Sequence, residues 1–308
     1  MRILGTGSAA PKGVLTNDML AEMVDTSDEW IRSRTGIKTR FIAKDETTLS
    51  LAREAAERAL EASGVSRERI GLVVCATVSN EQRCPSLACF LQRDLGLRED
   101  ILAFDLNAAC SGFIYGLIVA SNLVSEESYA LVVGTEVLSA LTDYRDRETC
   151  ILFGDGAGAA VVAPRPSTAA SGSAGLYWVS EACGNDEPLN ITDFIHMDGH
   201  AVFKFAVETL IGNIRAVTKK AGLEPSDIDL FVCHQANERI IASAAKRLRV
   251  PLERFFMNLA QYGNTSAASV PIALDEAVRA QATKPGNKVV LAGFGGGLTA
   301  GAVYLTWS

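Results

Sequence analysis

The feature that most constrains this chain is a repeat of itself. Laid over one another at an offset of 158 residues, without a gap, Gly64 falls on Gly222, Ile70 on Ile228 and Cys75 on Cys233. Each anchor follows the same pattern: a helical spacing stopped by glycine, then a buried strand, Ile70–Ala76 in one copy and Ile228–His234 in the other. At the same offset Leu131-Val132-Val133-Gly134 falls on Val289-Val290-Leu291-Ala292. Two distant segments sharing one offset argue for duplication. Strands alternate with helices in both copies, which predicts an α/β protein on largely parallel sheets, one domain made of two similar halves. The predicted boundaries are 1–163 and 176–308, with the Pro-, Ser- and Gly-rich stretch 164–175 as connecting loop.

The copies differ where polar chemistry appears. At that offset Cys110 lies over Ala268, and His234 lies over Ala76. Cys110 falls between a buried strand at 101–106 and an apolar helix beginning at Phe113, so it is placed at a helix N-terminus. The unpaired N–H groups there favour thiolate, which makes Cys110 a candidate nucleophile. Taken alone, a cysteine is more often a small buried filler, and a strand-end histidine more often structural. His234 is nevertheless one of three histidines (196, 200, 234), so the choice of acid–base partner is narrow. Asn264, in a Gly-Asn turn entering another apolar helix, reads first as a turn residue. Phe294-Gly295-Gly296-Gly297 permits the close backbone approach that an oxyanion hole needs. A site fed from both halves at their junction accounts for all of these.

Composition narrows the class. With 308 residues and 48% of them hydrophobic, a sizeable core is expected. The net charge of −7 argues against general nucleic-acid binding, and no apolar stretch is long enough for a membrane span. Seven cysteines without a CxxC pair, and a first strand where a leader would stand, predict a reduced cytoplasmic protein. Gly154 to Ala160 lacks the third glycine of a dinucleotide site and runs on into Val161-Val162 as strand. Arg32, Arg34, Lys38 and Arg40 cluster behind Trp30, either a solvated face or a platform for an anionic ligand.

These residues, in this order, resemble the β-ketoacyl-acyl-carrier-protein synthase III family, condensing enzymes that initiate bacterial type II fatty acid synthesis. The matching stretches run end to end: Thr26 to Ile31, Arg34-Thr35-Gly36-Ile37, Ala108 to Gly112, Phe153 to Ala159, His234-Gln235-Ala236-Asn237, Gly263 to Pro271 and Phe294 to Gly297. The resemblance implies a thiolase-like fold, two pseudo-repeated α/β halves in a layered αβαβα arrangement. It implies catalytic Cys110, His234 and Asn264, with the backbone N–H groups of Cys110 and Gly296 as oxyanion hole. For coenzyme A (CoA) it implies Trp30 and Arg147 around the adenine, Arg34 at the phosphates, and Gly199 and Asn237 along the pantetheine. For the carrier protein it implies the run Gln235, Ala236, Asn237, Glu238 and Arg239 together with Lys246, Arg247 and Arg249. Cys84, Leu138, Phe153 and Leu298 are the expected acyl pocket.

The reaction so implied condenses an acyl-CoA primer, acetyl-CoA being the expectation, with malonyl carrier protein. Acyl-CoA is then a substrate, no cofactor or metal is called for, and a homodimer is expected. Cys84 where an aromatic residue is usual, Leu298-Thr299-Ala300 for aromatic-Thr-Trp, Glu148 for glycine and a short 182–195 segment bear on the primer and on CoA affinity. The rivals are a related enzyme of secondary metabolism with another acyl donor, and a non-catalytic scaffold that binds the carrier protein.

Overall fold

The computed structural model describes residues 1–164, 176–185 and 188–308; nearly all of the expected connecting loop lies outside them. Its strands are β1 (Arg2–Ala9), β2 (Gly13–Thr16), β3 (Thr39–Ile42), β4 (Ile70–Ala76), β5 (Leu102–Leu106), β6 (Tyr129–Glu136), β7 (Gly156–Ala163), β8 (Leu176–Asn185), β9 (Leu189–Ile191), β10 (Ile195–Met197), β11 (Leu230–Cys233), β12 (Lys288–Gly295) and β13 (Gly297–Thr306). Its helices are α1 (Asn17–Ala21), α2 (Asp28–Thr35), α3 (Thr48–Ser63), α4 (Leu87–Asp94), α5 (Gly112–Leu123), α6 (Gly199–Lys220), α7 (Glu238–Leu248), α8 (Leu259–Tyr262) and α9 (Ser269–Arg279).

The first main sheet runs β1-β7-β6-β4-β5 and the second β8-β13-β12-β11. Strand for strand the orders correspond, and every strand of each sheet comes from one side of the 165–175 stretch. A fifth strand is reduced in the second half to a single parallel bridge, Phe231 to Phe255. The sheets are mixed, where largely parallel ones were expected. Only β5-β4-β6 and β11-β12 run parallel. One residue, Gly296, separates β12 from β13, and so short a link forces an antiparallel hairpin.

Five layers follow from which faces are apolar. Helices α5 and α9 lie between the sheets, where Phe113, Leu117, Val270 and Leu274 pack against Leu72, Val74, Leu230 and Val232. Helices α3 and α4 cover the outer face of the first sheet, and α6 and α7 that of the second. Asp275 of α9 ties the halves together: its buried carboxylate accepts from Thr6 at 2.9 Å and Ser8 at 2.6 Å on β1.

The single offset of 158 does not hold throughout. It holds for β4 and β11, because Leu72 and Leu230 both face the central layer. Leu131, however, faces outward while Val289 faces the centre, so the residue matching Leu131 is Val290, one further on. A strand has a period of two, so a slip of one residue exchanges its faces. In the turns the shift is the other way. Ala109 and Ser266 share the left-handed conformation, with φ of 45° and 46°, which matches Cys110 to Ala267 and not to Ala268. Loops between the strands absorb these differences.

The halves interlock at two glycines. A Cβ on Gly134 of β6 would stand 2.2 Å from the Ala267 carbonyl oxygen, and one on Gly293 of β12 would meet the Cys110 carbonyl oxygen at 3.3 Å. Each half thus pushes its turn onto the other half's central strand. Small residues there let Cys110 and Asn264 come within one site.

Candidate active site

Cys110 occupies a 3-10 turn, Ala109–Ser111, between β5 and α5. That is the strand–turn–helix placement expected from the apolar runs on either side. The expected thiolate is not what the surroundings favour. Burial pushes the Cys110 thiol up to about 12; hydrogen bonding from Ser266 opposes this, and the negative charge of Glu136 adds to it. A helix N-terminus contributes about 0.3–1 kcal/mol toward an anion, too little to offset full burial. Cys110 therefore rests as a thiol.

His234 directly follows β11, its backbone N–H donating to the Ala292 carbonyl at 2.8 Å. The ring sets its edge against Phe294, with centroids 5.1 Å apart, and Nδ1 has no hydrogen-bond partner among the described residues. Burial lowers its pKa to about 3, so the imidazole is neutral at ordinary pH.

Asn264 is held by its backbone. Its N–H donates to Leu152 at 2.8 Å and its carbonyl accepts from Gly154 at 3.0 Å. Its side-chain oxygen accepts from the Ser266 backbone N–H at 2.9 Å, which leaves the amide NH2 as the donor available to the cavity. The turn reading of Asn264 therefore holds, and the same turn aims the side chain.

Cys110, His234 and Asn264 line one narrow channel of about 80 Å³, together with Gly295, Gly199 and Asn237. A wider cavity of about 470 Å³ also reaches Cys110, walled in part by Leu138, Leu141, Phe153 and Ile195. The difference suits a slender chain in the channel and a bulkier group in the wider cavity. Gly295 presses against Cys110, since a Cβ there would lie 2.7 Å from the Cys110 nitrogen. Gly296 lines the wider cavity, and its carbonyl accepts from the Thr299 hydroxyl at 3.0 Å.

The other predicted residues divide. Trp30 lies under two guanidinium groups, Arg147 at 4.9 Å and Arg34 at 6.0 Å from the ring centroid. A flat base between Trp30 and Arg147 needs roughly 7 Å, two contacts of about 3.5 Å, so the slot is closed and Arg147 has to swing outward to admit one. Asn237 caps α7 by accepting from the Arg239 N–H at 2.9 Å and donates to the Arg34 carbonyl at 3.1 Å. Gly199 opens α6, where the Asp198 side chain caps the helix by accepting from the His200 and Ala201 N–H groups.

Glu238, Arg239, Lys246, Arg247 and Arg249 are exposed along α7 and its end. Gln235 is not available to a carrier protein: it is buried and donates inward to the Cys233 and Phe256 carbonyls. Ala236 is half-buried and lines the channel. Cys84 is exposed, and neither it nor Leu298 lines either cavity of this chain, whereas Leu138 and Phe153 do. Sequence reasoning missed Ser266, which lines the wider cavity beside Cys110. The match of Ala109 to Ser266 was the available signal for Ser266, hidden by the one-residue slip.

With this geometry in hand, comparison with known proteins is specific. The family described as 3-oxoacyl-[acyl-carrier-protein (ACP)] synthase III matches residues 104–179, and its C-terminal counterpart residues 218–307. The chain belongs to the β-ketoacyl-acyl-carrier-protein synthase III family. A relative of that name from Clostridium acetobutylicum is 45% identical, over 100% of this chain and 99% of its own. The crystal structure of the Aquifex aeolicus 3-oxoacyl-carrier-protein synthase III superposes with a TM-score of 0.92 at 44% identity, covering 99% of both chains. A priming β-ketosynthase of a polyketide pathway reaches 0.90 at 36% identity, covering 99% of this chain and 96% of its own. The synthase III fold and its acyl-transferring, condensing activity are therefore those of this chain. No helix among the described residues is long and apolar enough to cross a membrane.

Proposed function

We propose that this synthase III accepts an acyl group from acyl-CoA on Cys110 and condenses it with malonyl carrier protein, yielding a 3-ketoacyl product, CoA and CO2. The observation that carries this reading is the convergence of Cys110, His234 and Asn264 on one channel, with a wider cavity that also reaches Cys110 and is walled in part by Leu138, Leu141, Phe153 and Ile195. The sulfur attacks the thioester carbonyl, and the developing oxyanion meets the N–H groups of Cys110 and Gly296. CoA enters past Trp30 and Arg147, its pantetheine running between Gly199 and Asn237.

Malonyl then follows the same channel on its carrier arm. Loss of CO2 leaves an enolate, and donors on its oxygen lower the barrier without protonating its carbon. Neutral His234 and the Asn264 amide are those donors. The enolate carbon attacks the acyl thioester and expels Cys110. The exposed Arg239, Lys246, Arg247 and Arg249 meet the acidic carrier protein, a local basic surface on a chain of net charge −7. A cytoplasmic homodimer is the assembly we infer, since β5 ends its sheet with Leu102 55% exposed.

Intact-mass measurement after incubation with a panel of acyl-CoAs tests this. One acyl group gained by the wild type and not by Cys110→Ala is expected, discharged as 3-ketoacyl product on adding malonyl carrier protein. The best-loaded donor names the primer. Acylation by no donor, or equal labelling of Cys110→Ala, overturns the reading and favours a scaffold.

A further inference from the structure

Of the four basic residues clustered behind Trp30, three are exposed and Arg40, in β3, is wholly buried. Burial lowers its pKa to about 10, so the guanidinium is still cationic at neutral pH. Its hydrogen bonds all go to uncharged oxygens. Nη1 donates to the Leu15 carbonyl at 3.3 Å, and Nη2 donates to the Asn17 side-chain oxygen at 3.0 Å and the Ile151 carbonyl at 2.8 Å. Nε has no partner among the described residues. Burying a cation without a counter-charge opposes folding. What offsets this is the planar fork, which spreads its donors over three separate segments as the single nitrogen of a lysine does not.

One arm of the fork leads to the residues assigned to CoA. The Asn17 amide nitrogen donates two ways, to the Asp28 carboxylate at 2.9 Å and to the Ile37 carbonyl at 2.9 Å. Asp28 opens α2 and Ile37 follows the Gly36 cap, so one buried amide fixes both ends of the helix that carries Trp30 and Arg34. The other arm leads to Asn264. Ile151 precedes Leu152, whose carbonyl receives the Asn264 N–H, and Phe153, which forms a parallel bridge with Asn264 and lines both cavities. The stem of Arg40 lies in the same seam. A Cβ on Gly154 would stand 3.0 Å from the Arg40 Cβ, and one on Gly263 would stand 3.3 Å from it. Those two glycines adjoin Phe153 and Asn264.

We propose that Arg40 is a positioning residue for both ends of the acyl-CoA site, holding α2 through Asn17 and the Asn264 turn through Ile151. The inference rests on the assignment, made above, of Trp30 and Arg34 to CoA and of Asn264 to condensation. Neither Arg40 nor Asn17 lines the channel or the wider cavity, so each acts through the residues it holds. The two effects are separable, because Asn17 serves one arm and Arg40 serves both. Backbone bonds hold β3 and its approach without the side chain. The Lys38 N–H donates to the Ala260 carbonyl and the Asp155 N–H to the Phe41 carbonyl, each at 2.9 Å.

Three readouts test this on the intact protein: calorimetric Kd for CoA, loading of Cys110 by an acyl-pantetheine, and single-turnover condensation with malonyl carrier protein. Asn17→Ala should raise the Kd about 3- to 10-fold, the range for one net hydrogen bond, and keep the wild-type condensation rate. Arg40→Ala should raise the Kd as much and also slow condensation about 10- to 100-fold, as a misplaced reacting group does. Loading by acyl-pantetheine uses neither α2 nor Asn264 and should hold in both variants, whereas a general loosening of the site would lower it too. Arg40→Lys keeps the charge without the fork and decides the matter if Arg40→Ala does not fold; it too should weaken CoA and slow condensation together. A Kd unmoved by Asn17→Ala, condensation unmoved by the Arg40 variants, or equal loss in all three readouts overturns the inference. If wild-type protein binds CoA but takes no acyl group, the acyl-transfer reading fails and the α2 arm is decided by the Kd of Asn17→Ala. If it binds no CoA, the assignment of Trp30 and Arg34 falls and this inference with it.

Discussion

Asn107 and Asn264 hold the same position in the two halves of this chain. Each side-chain oxygen accepts from the backbone N–H two residues on, Ala109 at 3.3 Å and Ser266 at 2.9 Å, and in each case that residue has positive φ. Asn107 is exposed, whereas Asn264 is buried against the channel. One ancestral turn therefore supplies the bend that carries Cys110 in the first half and the amide donor in the second.

The Asn264 turn and its donor are separable. Asn264→Asp keeps the acceptor for the Ser266 N–H but replaces the NH2 with a second acceptor. Acylation of Cys110 should persist, while condensation with malonyl carrier protein should fall about 100- to 1,000-fold, the usual loss for one oxyanion donor. Single-turnover measurement of the two half-reactions checks this; equal loss in both means the residue serves the turn alone.

His234 should leave a mark on acid stability. Its folded pKa is about 3 against 6.5 unfolded, so between those values the unfolded chain binds the extra proton. Stability contributed at this position is full above pH 6.5 and is lost as the pH falls toward 3. Replacing His234 with Asn should make the slope of unfolding free energy against pH shallower by about one proton in that window. Denaturant titrations at pH 4, 5, 6 and 7 provide the measurement. An unchanged slope means the ring is already charged in the folded protein.

Arg147 should matter for CoA and for nothing short of its adenine. Arg147→Ala removes the cation over Trp30 and is expected to raise KM for acyl-CoA about 5- to 30-fold, the range of 1–2 kcal/mol for such a contact. Acyl thioesters of pantetheine alone should be used as before. If both donors suffer equally, Arg147 acts through the fold and not on the base.

Lys246 and Arg247 sit exposed in the last turn of α7, away from both cavities. Reversing both to Glu should raise KM for malonyl carrier protein at least about 10-fold at low salt, with the difference shrinking as salt screens it. Steady-state kinetics at two ionic strengths, with KM for acyl-CoA as the internal control, read the effect. A change in the acyl-CoA value alone contradicts the assigned surface.

Much of this was legible in the chain itself, because local patterns are written locally. The apolar runs around Cys110 fix a strand, a turn and a helix start. The repeat announces two halves, since burial on alternate faces leaves a period that can be read without a structure. What tertiary structure decided is whatever depends on two segments meeting. Register is one case: a single offset read from the sequence placed Leu131 on Val289, and only the shared central layer showed that their faces are opposite. Protonation is the other. The sequence puts Cys110 at a helix N-terminus and so argues for thiolate, but burial by the opposing half outweighs the helix end.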